Sequence, residues 1–123
     1  MMASEILAPV VESAADARAF VDRTLAGWGC EQVVDDVRLV VTELVSNGVT
    51  HAGTPIEVVL ELDRGALRIM VTDASLEAVM LVHAGASAER GRGMVLVDRF
   101  SDRWGVETFG DHKTVWAEWA VAP

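Results

Sequence analysis

The sequence predicts an α+β two-layer sandwich in which a mixed, largely antiparallel sheet carries its helices on one face. Two segments with apolar residues at helical spacing come first, and a segment with the alternating pattern of a β-hairpin follows them. A further helical segment then precedes a second pair of strands. The predicted order is therefore β, α, α, β, β, loop, α, β, β, and helices on one side of the sheet are its economical arrangement. With 123 residues, of which 51% are hydrophobic, the chain predicts one domain over 1–123.

The charge and the composition of the chain disfavour two classes of protein, those that bind nucleic acid directly and those that span a membrane. Nineteen acidic residues against ten basic ones give a net charge of −9, which disfavours direct nucleic acid binding because a phosphate backbone is repelled. No apolar run approaches the roughly 20 residues that span a bilayer, and the first residues lack a signal-peptide pattern. We therefore expect a cytoplasmic protein that does not enter the membrane. Cys30, the only cysteine, is expected to be a small buried residue.

The first two elements are a strand and a helix. Glu5 to Val11 predicts an edge strand, because Pro9 cannot donate a ladder hydrogen bond. Apolar residues at helical spacing then predict a helix from Ala14 to Trp28, with Ser13 as its N-cap and Gly29 as its end.

A second helix is predicted from about Glu31 to His51. Glu43, Asn47 and His51 recur at i, i+4 and i+8, so they form one polar stripe along it. The stripe must lie at the margin of an apolar face and point either to water or to a pocket. An exposed stripe with modest contacts along the helix would also explain it. The apolar face comprises Val33, Val37, Val40, Val41, Leu44 and Val45.

Alternating residues then predict a β-hairpin. The two strands run over 56–62 and 67–71, and residues 63–66 form the turn. In the second strand every other residue is apolar, and Asp73 occupies the next position of that series. Its carboxylate is therefore directed toward the core, where a charge requires a specific partner. A fraying strand end that lets Asp73 reach water is the alternative.

The region after the hairpin predicts a loop and then a helix. Residues 74–90 have no clean period and predict a loop with a short ordered centre, a length at which loops are often functional lids. Gly91-Arg92-Gly93 leads into a helix that starts at Met94, an arrangement that suits an anion site. A bare GxG is weak evidence, because glycines precede many helices for turn reasons alone.

The C-terminal residues predict two more strands. The segment from Trp104 to Val121 turns at Gly110-Asp111-His112. Because both faces are partly apolar, these strands are predicted as a central pair of the sheet. The four tryptophans are interpreted as core or partner-surface residues without chemistry.

Several segments, taken in order, resemble the GHKL (Bergerat-fold) ATP-binding proteins. Residues 43–52, ELVSNGVTHA, resemble the asparagine box of that family, and Asp73 resembles the adenine-binding aspartate of its first glycine box. Gly91-Arg92-Gly93 resembles the second glycine box, and residues 113–116, KTVW, its final strand. The segments VVTELVSN, GRGMVLVD and DRWG most resemble the stand-alone bacterial anti-sigma-factor serine/threonine kinases.

The resemblance implies ATP and Mg²⁺ as cofactors and gives the helical stripe a role. Asn47 would bind Mg²⁺ through its amide oxygen, since this hard cation is held by few protein oxygens together with the phosphates. Glu43 would be the catalytic base that accepts the proton of the attacking hydroxyl. His51 would contact phosphate or the lid.

The resemblance also implies a base-binding and a phosphate-binding group. Asp73 would accept a hydrogen bond from the adenine amino group, and Thr114 would assist Asp73 through water. The phosphates would be bound by backbone donors of Gly91, Arg92, Gly93 and Met94.

Two departures from the family pattern bear on these roles. The family usually continues from its aspartate as Asp-x-Gly-x-Gly, whereas this sequence has Ala74-Ser75-Leu76-Glu77 after Asp73. The missing glycines imply weaker nucleotide binding or a differently arranged lid. Gly48 stands where the asparagine box more usually has alanine, which permits close packing but lowers helix propensity.

The resemblance implies an anti-sigma-factor serine/threonine protein kinase that phosphorylates an anti-sigma-factor antagonist and sequesters a sigma factor. The alternative is a kinase-weak or kinase-dead partner-switching module of the same fold, motivated by the missing glycines. A hydrolytic ATPase or a detached histidine-kinase catalytic domain is disfavoured, because neither a dimerisation helix nor a phosphoacceptor segment fits in this length. The family often forms homodimers, and no residue of this sequence decides that point.

Overall fold

The computed structural model describes residues 1–74 and 88–121, without the side chains of residues 88–93. In these ranges five strands form one antiparallel sheet in the order β1-β2-β3-β5-β4, and three helices accompany it. The strands are β1 Met2–Leu7, β2 Ile56–Asp63, β3 Ala66–Asp73, β4 Arg103–Phe109 and β5 His112–Ala120; the helices are α1 Ser13–Trp28, α2 Val34–His51 and α3 Ala88–Phe100. The predicted α+β sandwich is confirmed.

The core lies between the helices and one face of the sheet. Alternate residues of the two central strands, such as Ile69 of β3 and Ala117 of β5, are fully buried there. Val41 and Leu44 of α2 meet them from the helix layer. The alternation of burial along β3 and β5 means that their remaining side chains lie on a second, open face of the sheet.

The N-terminal elements differ from the prediction at their ends. β1 lies at a sheet edge as expected, but it spans Met2–Leu7, so Pro9 lies beyond it. Ser13 is not an N-cap: it is the first residue of α1, and its Oγ donates to the Ala8 carbonyl at 2.6 Å. Gly29 ends α1 as predicted, with a φ of 71° that favours glycine.

The predicted hairpin is confirmed. β2 and β3 are joined through Arg64 and Gly65, with φ values of 52° and 76°. Two consecutive positive φ values are the geometry of a two-residue hairpin turn whose twist matches that of the strands. A 3₁₀ turn, Glu31–Val33, leads into α2, in agreement with the predicted start of that helix.

The start of α3 corrects the prediction around the glycines. The helix begins at Ala88 rather than after Gly93, so Gly91 and Gly93 lie inside it. Ala88 and Glu89 are good helix formers, and a glycine costs a helix only about 1 kcal/mol, which packing against the core can offset. The predicted loop covers 74–90; its residues 75–87 lie outside the described residues.

The last two strands are not a central pair. β5 is central, because it pairs with β3 on one side and β4 on the other, but β4 is the second edge of the sheet. β4 presents exposed Arg103 and Glu107, as expected for an edge strand that avoids further pairing.

Cys30 is 3% exposed, as expected for a small core residue. Burial raises the pKa of its thiol, and the adjacent Glu31 carboxylate adds to the rise. Among the described helices, we find none with the length and apolar character to cross a bilayer.

The open face of the sheet contains a stacked tryptophan. Trp116 of β5 is paired with Gly105 of β4, and a Cβ at position 105 would lie 2.7 Å from its Cζ2 atom. The guanidinium of Arg68 lies 4.3 Å from the centroid of the same ring and donates to Glu118 at 2.9 Å. Glycine is therefore required at position 105, because the indole of Trp116 occupies the space that a side chain at this position would need.

We expect Gly105→Ala to lower the free energy of unfolding by about 1–3 kcal/mol, because the added methyl displaces the ring of Trp116. Urea denaturation measures the loss. In a Trp116→Leu background the same substitution should cost much less. Equal losses in the two backgrounds would show that the ring does not set the requirement for glycine.

Candidate functional site

The polar stripe of α2 lies at the margin of its buried face, as predicted. Glu43, Asn47 and His51 are each half-buried, whereas Leu44 and Gly48, their neighbours in sequence, are buried. Because residues four apart are stacked one turn above another, the three side chains form a continuous row along the helix.

Asn47 is the point where α2 meets α3. Its Nδ2 donates to the sulfur of Met94 at 3.8 Å, and Met94 is itself half-buried against the core. Asn47 and Met94, two of the predicted ligand-binding residues, are thus in contact. The side-chain amide oxygen of Asn47 takes no part in this hydrogen bond. It is the atom that would bind Mg²⁺ in the predicted role of this residue.

Asp73 lies on the core side at the end of β3 and forms a buried ion pair. It is 2% exposed and Lys113, opposite it on β5, is 1% exposed. The Lys113 ammonium donates to both carboxylate oxygens, at 2.8 and 2.7 Å. The core-facing prediction is confirmed and the alternative of a fraying strand end is wrong.

Gly48 makes room for this pair. A Cβ at position 48 would lie 3.0 Å from Asp73 Oδ2 and 3.0 Å from Ile56 Cδ1. The space that alanine would fill is thus taken up by the carboxylate and by a core side chain. The absence of a side chain at position 48 brings the backbone of α2 against Asp73, one residue away from Asn47.

Thr114 does not lie beside Asp73. It is paired across the strands with Thr72, and the two hydroxyl oxygens are 2.7 Å apart. Successive side chains of a strand point to opposite faces, so Thr72 and Thr114 lie on the open face while Asp73 and Lys113 lie on the helix face. The expected assistance of Thr114 to Asp73 is therefore not met by this geometry.

The glycine segment lies in the first turns of α3, N-terminal to Met94. The backbone of Gly91, Arg92 and Gly93 is thus on the helix that packs against α2. Their predicted contact with phosphate stays a prediction.

Two residues of the site were missed by the sequence reasoning. In the sequence analysis Lys113 is only the first residue of the segment that resembles the final strand of the family, and Gly48 only an unusual residue of the asparagine box. A signal for Lys113 existed, because it shares the alternation of Val115 and Ala117, which are buried on the helix face. A lysine in phase with buried residues needs an acid nearby, and Asp73 was predicted to need a partner.

The residues present fit the phosphates and the magnesium ion of a nucleotide better than they fit its base. On the phosphate side, Asn47 and Glu43 offer oxygen atoms one helical turn apart, next to the helix that contains the glycines. On the base side, Asp73 accepts two hydrogen bonds from Lys113 and is almost fully covered. A purine amino group therefore cannot reach Asp73 in this conformation.

We expect Lys113→Met to lower the free energy of unfolding by about 3–5 kcal/mol, because it removes the ammonium that donates to both oxygens of a buried carboxylate. Adding Asp73→Asn should recover part of the loss, and urea denaturation of the single and double variants measures both. Arg103→Met serves as the control: it removes an exposed ion pair to Glu118 and should cost less than about 1 kcal/mol. Strictly additive costs for the first two substitutions would contradict a coupled pair.

Comparisons with known proteins agree with this fold. Residues 7–119 match the histidine kinase-like ATPase domain family. The uncharacterized protein SCO4941 of Streptomyces coelicolor is 39% identical over 87 residues, which cover 67% of this chain and 83% of that protein.

A solved structure is also similar. It contains the RsbU and RsbW domains of Rv1364c from Mycobacterium tuberculosis, and it superposes with a TM-score of 0.77 at 17% identity. The match covers 100% of this chain but only 33% of the solved one, so it bears on the fold and not on the activity of the larger protein. On the strength of the family match, which spans nearly the whole chain, this protein belongs to the histidine kinase-like ATPase family.

Proposed function

We propose that this chain is a Mg²⁺- and ATP-dependent serine/threonine protein kinase that phosphorylates an anti-sigma-factor antagonist and sequesters a sigma factor. The observation that carries the proposal is the half-buried row of Glu43, Asn47 and His51, which meets α3 at Met94. The family match supports nucleotide binding, and the named RsbW domain of the structural neighbour motivates the choice of partners.

Each residue of the row has a proposed task. Asn47 would hold Mg²⁺ through its side-chain oxygen, and the ion would supply charge neutralisation at the phosphates. Glu43, about 6 Å along the helix from Asn47, would accept the proton of a serine or threonine hydroxyl of the antagonist. As the hydroxyl oxygen bonds to the γ-phosphorus, the bond from that phosphorus to the β-phosphate oxygen breaks and ADP leaves. His51 would contact the phosphates or the lid.

Further residues would bind the rest of the nucleotide. The backbone of Gly91, Arg92, Gly93 and Met94 would bind phosphate oxygens. Asp73 would recognise the base only after its environment opens, since Lys113 now occupies both carboxylate oxygens.

We expect Glu43→Ala to reduce label transfer from Mg-ATP to a purified antagonist by roughly a hundredfold or more, because it removes the base. Asp36→Ala removes a carboxylate from the exposed start of the same helix and should leave transfer unchanged. Undiminished transfer by the Glu43 variant would remove Glu43 from the mechanism.

A second candidate is a partner-switching module of the same fold that lacks phosphotransfer. It is favoured by the closed Asp73–Lys113 pair together with the glycines missing after Asp73. Such a protein would regulate through protein contacts alone.

Thermal unfolding with and without Mg-ATP separates the two candidates. A nucleotide at a hundred times its dissociation constant adds about 2.7 kcal/mol of stability, which raises Tm by roughly 10 °C for a domain of this size. The kinase should show such a rise. An unchanged Tm at millimolar nucleotide, with partner binding intact, would favour the binding module and overturn the kinase.

A further inference from the structure

The carboxylate of Asp73 is engaged by its own chain. Nζ of Lys113 lies 2.8 and 2.7 Å from its two oxygens, so each oxygen accepts a charge-assisted hydrogen bond. The two residues face each other directly on β3 and β5, and both are almost completely buried. A base that bonds to this carboxylate must therefore separate two buried charges, rather than only displace water.

Thr114 does not replace Asp73 as a contact for the base. It lies on the open face of the sheet, where its hydroxyl oxygen is 2.7 Å from that of Thr72. On the helix face, α2 closes over the carboxylate at Gly48, where a Cβ would lie 3.0 Å from Asp73 Oδ2. Both residues that the sequence predicts for recognition of the base are thus unavailable to it in this conformation.

The closed ion pair is stronger than the contact that adenine would make in its place. Breaking a buried ion pair corresponds to a loss of roughly a hundredfold to several thousandfold in affinity. One hydrogen bond from the adenine amino group to a charged acceptor corresponds to a gain of roughly tenfold to a hundredfold. Since the loss exceeds the gain, we expect the pair of Asp73 and Lys113 to stay closed when a nucleotide binds.

A closed pair removes the feature that would distinguish adenine from guanine. An accessible carboxylate favours the amino group of adenine, because guanine has the oxygen atom O6 at the same position and two acceptors repel each other. Lys113 offers only donor hydrogens, and N7 is an acceptor in both purines. A site that makes no hydrogen bond to the group that differs discriminates weakly between two such ligands.

The phosphate side of the site makes no distinction between bases either. The side-chain oxygen of Asn47 suits Mg²⁺, and backbone groups in the first turns of α3 suit phosphate oxygens. The ion and the phosphates are common to every nucleoside triphosphate. The affinity that these contacts supply is therefore the same for ATP and for GTP.

We propose that the site binds purine nucleoside triphosphates without selecting the base, and that Lys113 is the residue that removes this selection. The inference rests on the proposed function, because it requires Mg²⁺ and the phosphates to bind beside Asn47. It extends that function in the choice of ligand, since GTP binds as well as ATP does.

Isothermal titration calorimetry of the full chain with Mg-ATP and with Mg-GTP tests the absence of selection. The two dissociation constants should agree within about threefold, because the contacts that supply the affinity are shared. A preference of tenfold or more for either nucleotide overturns the inference and leaves the proposed kinase standing. Binding of neither nucleotide at millimolar concentration overturns both.

The same titrations of Lys113→Met test the part assigned to Lys113. This variant frees the acceptor oxygens of Asp73, so the preference for ATP over GTP should rise by tenfold or more. Arg103→Met, which removes the cation of an exposed ion pair with Glu118, is the control and should keep the wild-type ratio. An unchanged ratio in Lys113→Met overturns the role of Lys113.

A second variant covers the case in which Lys113→Met does not fold, which its circular dichroism spectrum shows. Lys113→Gln retains an amide that can donate to one oxygen of Asp73 and frees the other. Its ratio should shift toward ATP by a smaller factor, about threefold or more. A folded Lys113→Gln with the wild-type ratio contradicts the proposal in the same way.

Discussion

The buried ion pair of Asp73 and Lys113 is the interaction on which the arrangement of this protein depends most. Two charges withdrawn from water are tolerated only with close, well-directed contacts, and here one ammonium donates to both carboxylate oxygens. The pair also fixes the register of the two central strands, since a slip of either strand by one residue would move its charge to the opposite face and separate it from its partner. It further requires Gly48, whose lack of a side chain lets α2 approach the carboxylate.

This constraint divides the candidate site into two unequal parts. The part formed by α2 and α3 keeps the polar groups suited to phosphate and magnesium, at the margin of the core where a ligand can approach. The part formed by the central strands is closed by its own salt bridge. On the proposed function, recognition of the base would have to compete with Lys113, so the phosphates and the metal would supply most of the binding energy. This division explains why one set of residues supports both a kinase and a binding module.

Much of the fold could be predicted from the sequence because the spacing of apolar residues in its helices differs clearly from the alternation in its strands. Three of its features depend only on residues that are near one another in sequence. They are the helical spacing of α2, the alternation of β2 and β3, and the turn that contains the glycine at position 65. The start of α3 could not be predicted, because the helical preference of Ala88 and Glu89 opposed the usual meaning of nearby glycines. The place of β4 at an edge depends on which strands pair, and that is not encoded in its own pattern.

The site was predictable to a similar extent and for similar reasons. The row of Glu43, Asn47 and His51 follows from helical geometry alone, and its half-buried position follows from the apolar residues beside it. The partner of Asp73 required knowing that β3 and β5 are neighbours forty residues apart in sequence. The same register decides that Thr114 faces away, which a motif cannot reveal.

The pairing of β1 has a consequence for how the chain folds. β1 precedes the other described strands in sequence, yet Met2 pairs with Glu61 and Leu7 with Ile56. The strand must wait until α1, α2 and the whole of β2 have been made, and its docking closes a long loop at a cost in chain entropy. The hairpin of β2 and β3 closes only a two-residue turn, so once β3 has been made it forms faster than the pairing of β1 with β2. Early in synthesis β1 is therefore an unpaired strand with both edges open, and its docking on β2 is expected to be a late step of folding.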